Sequence, residues 1–165
     1  MTTPLNVLFL CTHNSARSIM AEATLNHIGK GRFKAFSAGS RPRDGQQPHA
    51  LALAVLNDAG YDTAGLRSKN WGEFAVDDAP RMQLIVTVCD NAAGEVCPIW
   101  PGHPAKAHWG YPDPSEVDGP DDQRRAAFSA TLQAIRSRVD MLVNLTPDRL
   151  GKLALQTTAR ELAGR

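Results

Sequence analysis

The chain has 165 residues, 42% of them hydrophobic, with 18 Lys and Arg against 17 Asp and Glu for a formal charge of +1. That length suits one domain with a sizeable buried core, and so even a charge balance leaves no basic field for nucleic acid or a membrane surface. The first apolar run is too short to span a bilayer or to serve as a signal segment, and there are only three cysteines. A cytoplasmic protein with buried or working thiols is therefore expected, not a disulfide scaffold.

Leu5 to Leu10 is a continuous apolar run, as in a strand covered on both faces, and it stops at Cys11. A short polar stretch follows, and from Ser18 the pattern turns helical, with Ala21, Leu25 and Ile28 on one side and Gly29 and Gly31 as a stop. Phe33 to Ser37 reads as a second strand and Arg41 to Gln47 as a loop. Pro48 opens a helix with Ala52, Val55, Leu56 and Ala59 on its apolar face, closed by Gly60. Asp62 to Asn70 is polar and irregular, and Trp71 to Asp78 is either a short helix or a loop.

Leu84 to Val88 is β-branched and apolar, a central strand that also ends in a cysteine, Cys89. Asp90 to Pro104 contains Cys97 and reads as a long functional loop. Ala105 to Trp109 is a short last strand before the loop Gly110-Tyr111-Pro112-Asp113-Pro114. The clearest helix runs from Asp122 to about Val143, with Phe128, Leu132, Ile135, Val139 and Leu142 in one stripe. Pro147 opens a weaker C-terminal helix reaching about residue 163, with Leu150, Leu153 and Leu162. No linker divides residues 1–165, so a single domain is expected, with a core from about 5 to 143.

Strands alternating with helices argue for an α/β fold around an open parallel sheet with helices on both faces. Ligands bind such sheets beyond the carboxyl ends of the strands, where Cys11 and Cys89 both fall. On neighbouring strands, about 4.7–4.9 Å apart, two such cysteines can approach disulfide geometry. Thr12, His13, Asn14, Ser15, Ala16, Arg17 and Ser18 lie between strand and helix. As a tight loop they point backbone N–H groups and a helix N-terminus at one spot, a seat for a tetrahedral oxyanion.

The same field lowers the pKa of a cysteine at its mouth, which makes Cys11 a candidate nucleophile. Arg17 suits bidentate recognition of the anion. Asn14 tolerates the left-handed backbone such a loop needs, and Ser18 is a helix cap, a loop residue or both. Asp113, fixed between two prolines, is a turn aspartate or a general acid. Cys97 is a structural thiol of its loop or, since loops rarely bury their cysteines, a redox thiol. No spacing groups histidines with cysteines as zinc ligands, with Cys89, Cys97 and His103 the trio to test, and no nucleotide-binding motif occurs. No bound cofactor is expected.

Cys11-x5-Arg17-Ser18, with Asn14 inside it and Met20-Ala21-Glu22 after it, resembles the anion loop of the low-molecular-weight tyrosine phosphatase superfamily. Thr87-Val88-Cys89-Asp90, Cys97-Pro98 and His108-Trp109-Gly110-Tyr111-Pro112-Asp113-Pro114 are similar to segments of the arsenate reductases built on that fold. The resemblance runs from about Val7 to Val143 and implies a flavodoxin-like sheet of four strands. It also implies a cycle in which Cys11 attacks arsenate held by the loop and Arg17 while Asp113 protonates the departing oxygen. Cys89 then attacks Cys11, releasing arsenite, and Cys97 carries the disulfide outward to thioredoxin or to glutaredoxin and glutathione.

The spacer Asp90 to Val96 is one residue longer than that of the thioredoxin-coupled relatives, which leaves the donor open. Some relatives hold potassium near the loop, a neighbourhood matched here by Asn14, Glu22 and Ser37, although Glu22 reads first as a helix-face or loop-bracing carboxylate. The chain is expected to act as a monomer. The competing activity is phosphoester hydrolysis by Cys11, Arg17 and Asp113. Against it, Ala16 stands where those phosphatases carry a second cysteine, and their adjacent tyrosine pair is missing. A non-enzymatic oxyanion-binding module is the third reading.

Overall fold

In the computed structural model, residues 4–89 and 104–145 are described. Strand β1 (Leu5–Cys11) leads into helix α1 (Arg17–Ile28), strand β2 (Phe33–Gly39) and helix α2 (Ala50–Asp58). A single-turn 3-10 helix (Trp71–Phe74) precedes β3 (Leu84–Thr87) and β4 (Ala105–His108). A second 3-10 turn (Pro114–Glu116) precedes the long helix α3 (Asp121–Val143). Cys97 and the expected C-terminal helix lie outside the described residues.

The four strands form one parallel sheet in the order β2-β1-β3-β4. The apolar run of β1 fits its central place, since Val7, Leu8, Phe9 and Leu10 are all fully buried. Its alternate side chains feed two cores. Val7 and Phe9 join a large cluster with α1, α2 and α3 that includes Ile19, Leu25, Val55, Phe128 and Ile135. Leu8 and Leu10 join a smaller one with Ala38, Met82, Ile85 and Phe74 of the 3-10 turn. Among the described residues that second face carries the one-turn 3-10 helix Trp71–Phe74, in the stretch read as either a short helix or a loop. Gly72 and the shortness of the apolar run explain it, because so brief a segment cannot sustain helical hydrogen bonding.

The stripe read in α3 is the buried one, down to Leu142. Helix α1 differs. Ser18, Ile19, Met20, Ala21, Ala23, Thr24 and Leu25 are all buried, because the helix is enclosed by sheet, α2 and α3. Enclosure on several sides blurs the amphipathic period. Among the described residues no helix is long and apolar enough to cross a membrane.

Candidate active site

The sheet order makes β1 and β3 neighbours, with Leu10 beside Thr87. Both chains leave the sheet at the same end, and the Val88 N–H donates to Leu10 O at 2.9 Å. Cys11 and Cys89 are thus side by side, both buried and both free thiols. Helix α1 begins without a side-chain cap at Ala16, so no side chain takes its first N–H groups, which is the arrangement that suits an anion. Of the two roles open to Ser18, the structure gives loop bracing. Its Oγ accepts from Asn14 Nδ2 at 2.8 Å.

Arg17 reaches over the mouth of the loop. Its Nη1 donates to Tyr111 O at 2.9 Å, and its Nη2 lies 3.5 Å from Asp113 Oδ2. Asp113 is both turn aspartate and site residue. Its Oδ1 accepts from the Ser115 N–H at 2.9 Å and from Ser115 Oγ at 2.7 Å, capping the Pro114–Glu116 turn. Thr12 Oγ1 and Cys89 Sγ are 3.6 Å apart. Thr12, His13, Arg17, Cys89, Tyr111 and Asp113 together line a cavity of about 330 Å³, room for a small oxyanion.

The loop's pull on the Cys11 proton is opposed by its neighbours. Hydrogen bonding to Cys89, then burial, push the Cys11 thiol above its ordinary value. Arg17 and the Thr12 backbone oppose this without winning.

Behind the loop a network of hydrogen bonds joins the polar side chains. Asn14 is fully buried with φ of 56°, the left-handed conformation asparagine tolerates. Its Nδ2 also donates to Ser37 Oγ at 3.0 Å, and Ser37 Oγ donates onward to Glu22 Oε1 at 2.6 Å. Ser68 Oγ donates to Asn14 O at 2.6 Å, and the Lys69 N–H to Asn14 Oδ1 at 3.0 Å. Gly39 permits the approach of β2, since a Cβ there would stand 2.5 Å from Thr12 O. Ser68, Lys69 and Gly39 escaped the sequence reading. The first two sit in a polar segment with no periodicity, and the third follows the stretch read as the second strand.

The oxygens of Asn14, Glu22 and Ser37 do not suit an added potassium ion. Lys69 Nζ lies among them, 2.7 Å from Ser37 O, 3.4 Å from Asn14 Oδ1 and 3.9 Å from Glu22 Oε1. Glu22 is instead the bracing carboxylate. Burial raises its pKa, opposed by Ser37 and Lys69. Among the described residues no group of three or more His, Cys, Asp or Glu side chains could hold a metal ion.

A cysteine at the rim of a helix-backed loop, on a four-stranded parallel sheet, defines a phosphatase-like α/β domain. Comparison with known proteins agrees. The profile of the low molecular weight phosphotyrosine protein phosphatase family matches residues 6–154, and the chain belongs to that family. An arsenate reductase of Shouchella clausii is 32% identical over 133 residues, 81% of this chain and 91% of the relative. The crystal structure of an arsenate reductase from Archaeoglobus fulgidus superposes with a TM-score of 0.64 at 31% identity, covering 84% of this chain and 99% of the other. A thioredoxin-dependent arsenate reductase of Corynebacterium glutamicum gives 0.56 at 25% identity, covering 86% of this chain and 65% of that one.

Proposed function

We propose that the chain is an arsenate reductase that turns arsenate into arsenite through a thiol relay, in the cytoplasm and as a monomer. The observation that carries this reading is the second thiol. Phosphoester hydrolysis needs a nucleophile and water, whereas Cys89 in hydrogen-bonding contact with Cys11 supplies a reductant to the same atom.

Arsenate, as its monoanion, enters the loop Cys11–Ser18, where the N–H groups and Arg17 receive its oxygens. Cys11 sulfur forms a bond to arsenic as one oxygen leaves as water. The Cys11 proton, held high by its surroundings, passes to the oxyanion, and Asp113 delivers a proton to the departing oxygen. Cys89 then attacks Cys11 sulfur and the S–As bond breaks. Its electron pair stays on arsenic, which falls from As(V) to As(III) as the two thiols become one disulfide, and the Cys89 proton leaves with arsenite. Cys97 exchanges with Cys89, and an external dithiol of the thioredoxin or glutaredoxin–glutathione type restores all three thiols.

The test is arsenate-dependent NADPH oxidation, first with thioredoxin and its reductase, then with glutaredoxin, glutathione and its reductase. Turnover with one donor system is expected, and none with either would overturn the reading.

A further inference from the structure

Lys69 is a lysine in an unusual place. Its side chain is only 8% exposed and lies behind the loop, not on the rim where substrate enters. Its Nζ donates to Ser37 O at 2.7 Å, Arg67 O at 2.7 Å and Asn14 Oδ1 at 3.4 Å, and Glu22 Oε1 is 3.9 Å away. Three accepting oxygens require three N–H donors, which only the ammonium form carries. Its backbone N–H donates to the same Asn14 Oδ1, and its carbonyl accepts from the Gly39 N–H at 2.8 Å. One residue thus ties the left-handed turn of the loop to the end of β2 and adds a positive charge beneath it. Burial lowers the Lys69 pKa while Glu22 raises it.

We propose that Lys69 is a positioning residue for the anion loop, an internal ammonium that fixes Asn14 and makes oxyanion binding independent of any dissolved monovalent cation. The proposal rests on the reading of Cys11–Ser18 as the oxyanion seat. Lys69 touches no reacting atom. It acts through Asn14, whose amide braces Ser18 and Ser37. Glu22 also lines a cleft of about 430 Å³ with Asn26, His27, Asp62 and Leu66, on the solvent side of the carboxylate that faces Lys69.

The experiment measures the dissociation constant of inorganic phosphate by calorimetry in choline, potassium and ammonium chloride at matched ionic strength. For the intact protein the three values are expected to agree within about twofold. Lys69→Ala should bind about tenfold more weakly in choline chloride and recover in ammonium or methylammonium chloride. Lys69→Met, which fills the space without a charge, should be weakened and stay so. Three results would overturn the proposal: intact protein that tightens about tenfold in potassium, Lys69→Ala equal to the intact protein in choline, or a weakened Lys69→Ala that no cation restores. The salt series on intact protein decides the question even if the variants fail to fold. Because the readout is phosphate binding, a failure to reduce arsenate would strike the proposed activity and leave this result standing.

Discussion

The two sides of the anion loop are built on opposite plans. In front, a cavity is bordered by one short bond of Arg17, to Tyr111 O at 2.9 Å, and by looser approaches, Arg17 to Asp113 at 3.5 Å and Thr12 to Cys89 at 3.6 Å. Behind, Asn14, Ser18, Ser37, Glu22, Ser68 and Lys69 are joined by hydrogen bonds of 2.6 to 3.0 Å. A loop that must present N–H groups to an anion cannot spend its own side chains on that face, so its conformation is held from the rear. Chemistry and rigidity are separated by the thickness of one loop, and changes on either side should fail differently.

The largest effect belongs to the front. Cys89→Ser should lower arsenate turnover on the order of a thousandfold, the scale of a lost nucleophile, while hydrolysis of p-nitrophenyl phosphate continues. Equal loss of both activities would deny Cys89 its separate role. Asp113→Asn comes next, with kcat down about a hundredfold and phosphate affinity little changed, because a general acid acts on the leaving oxygen and not on binding. Steady-state kinetics beside phosphate calorimetry separates the two.

A change at the rear should reverse that pattern. Gly39→Ala places a methyl against Thr12 O, and it should cost about 1–3 kcal/mol in thermal or denaturant unfolding and weaken phosphate binding. The smallest effect is pH-dependent and lies beside the site. Burial, then Arg124, lower the pKa of His49 below its ordinary 6.5, with Asp113 opposing, and its neutral Nδ1 caps α2 by accepting from the Leu51 N–H at 3.1 Å. The unfolded chain therefore binds the proton first, and stability present above pH 6.5 is lost as pH falls through the folded value. His49→Asn keeps an acceptor that does not titrate. It should flatten this dependence, within the roughly 1 kcal/mol that an N-cap contributes, in melting curves across that range.

The legibility of the sequence follows the same division. Front residues announce themselves because chemistry demands particular types at particular spacings, as in Cys11 and Arg17, or because a strand ends on them, as at Cys89. The long stripe of α3 was legible since that helix buries one face. Helix α1 was harder, being enclosed on several sides. The rear of the loop was nearly silent. Lys69 stands 55 residues from the asparagine it holds, in a segment with neither apolar period nor turn signature. Only the sheet order brings the two together. The raised Cys11 pKa was unreadable for a related reason, since it depends on a thiol 78 positions later in the chain, the interval between Cys11 and Cys89.

The central claim is that Cys11 and Cys89 act on one another. It is tested most directly in Cys97→Ser, where the relay has no third thiol. Fully reduced protein is mixed with excess arsenate without any external reductant, quenched with an alkylating agent and mapped by mass spectrometry, with arsenite measured in parallel. The account predicts one arsenite per chain and one disulfide, between Cys11 and Cys89. Arsenite formed while both cysteines remain alkylatable, or no arsenite at all, would contradict it.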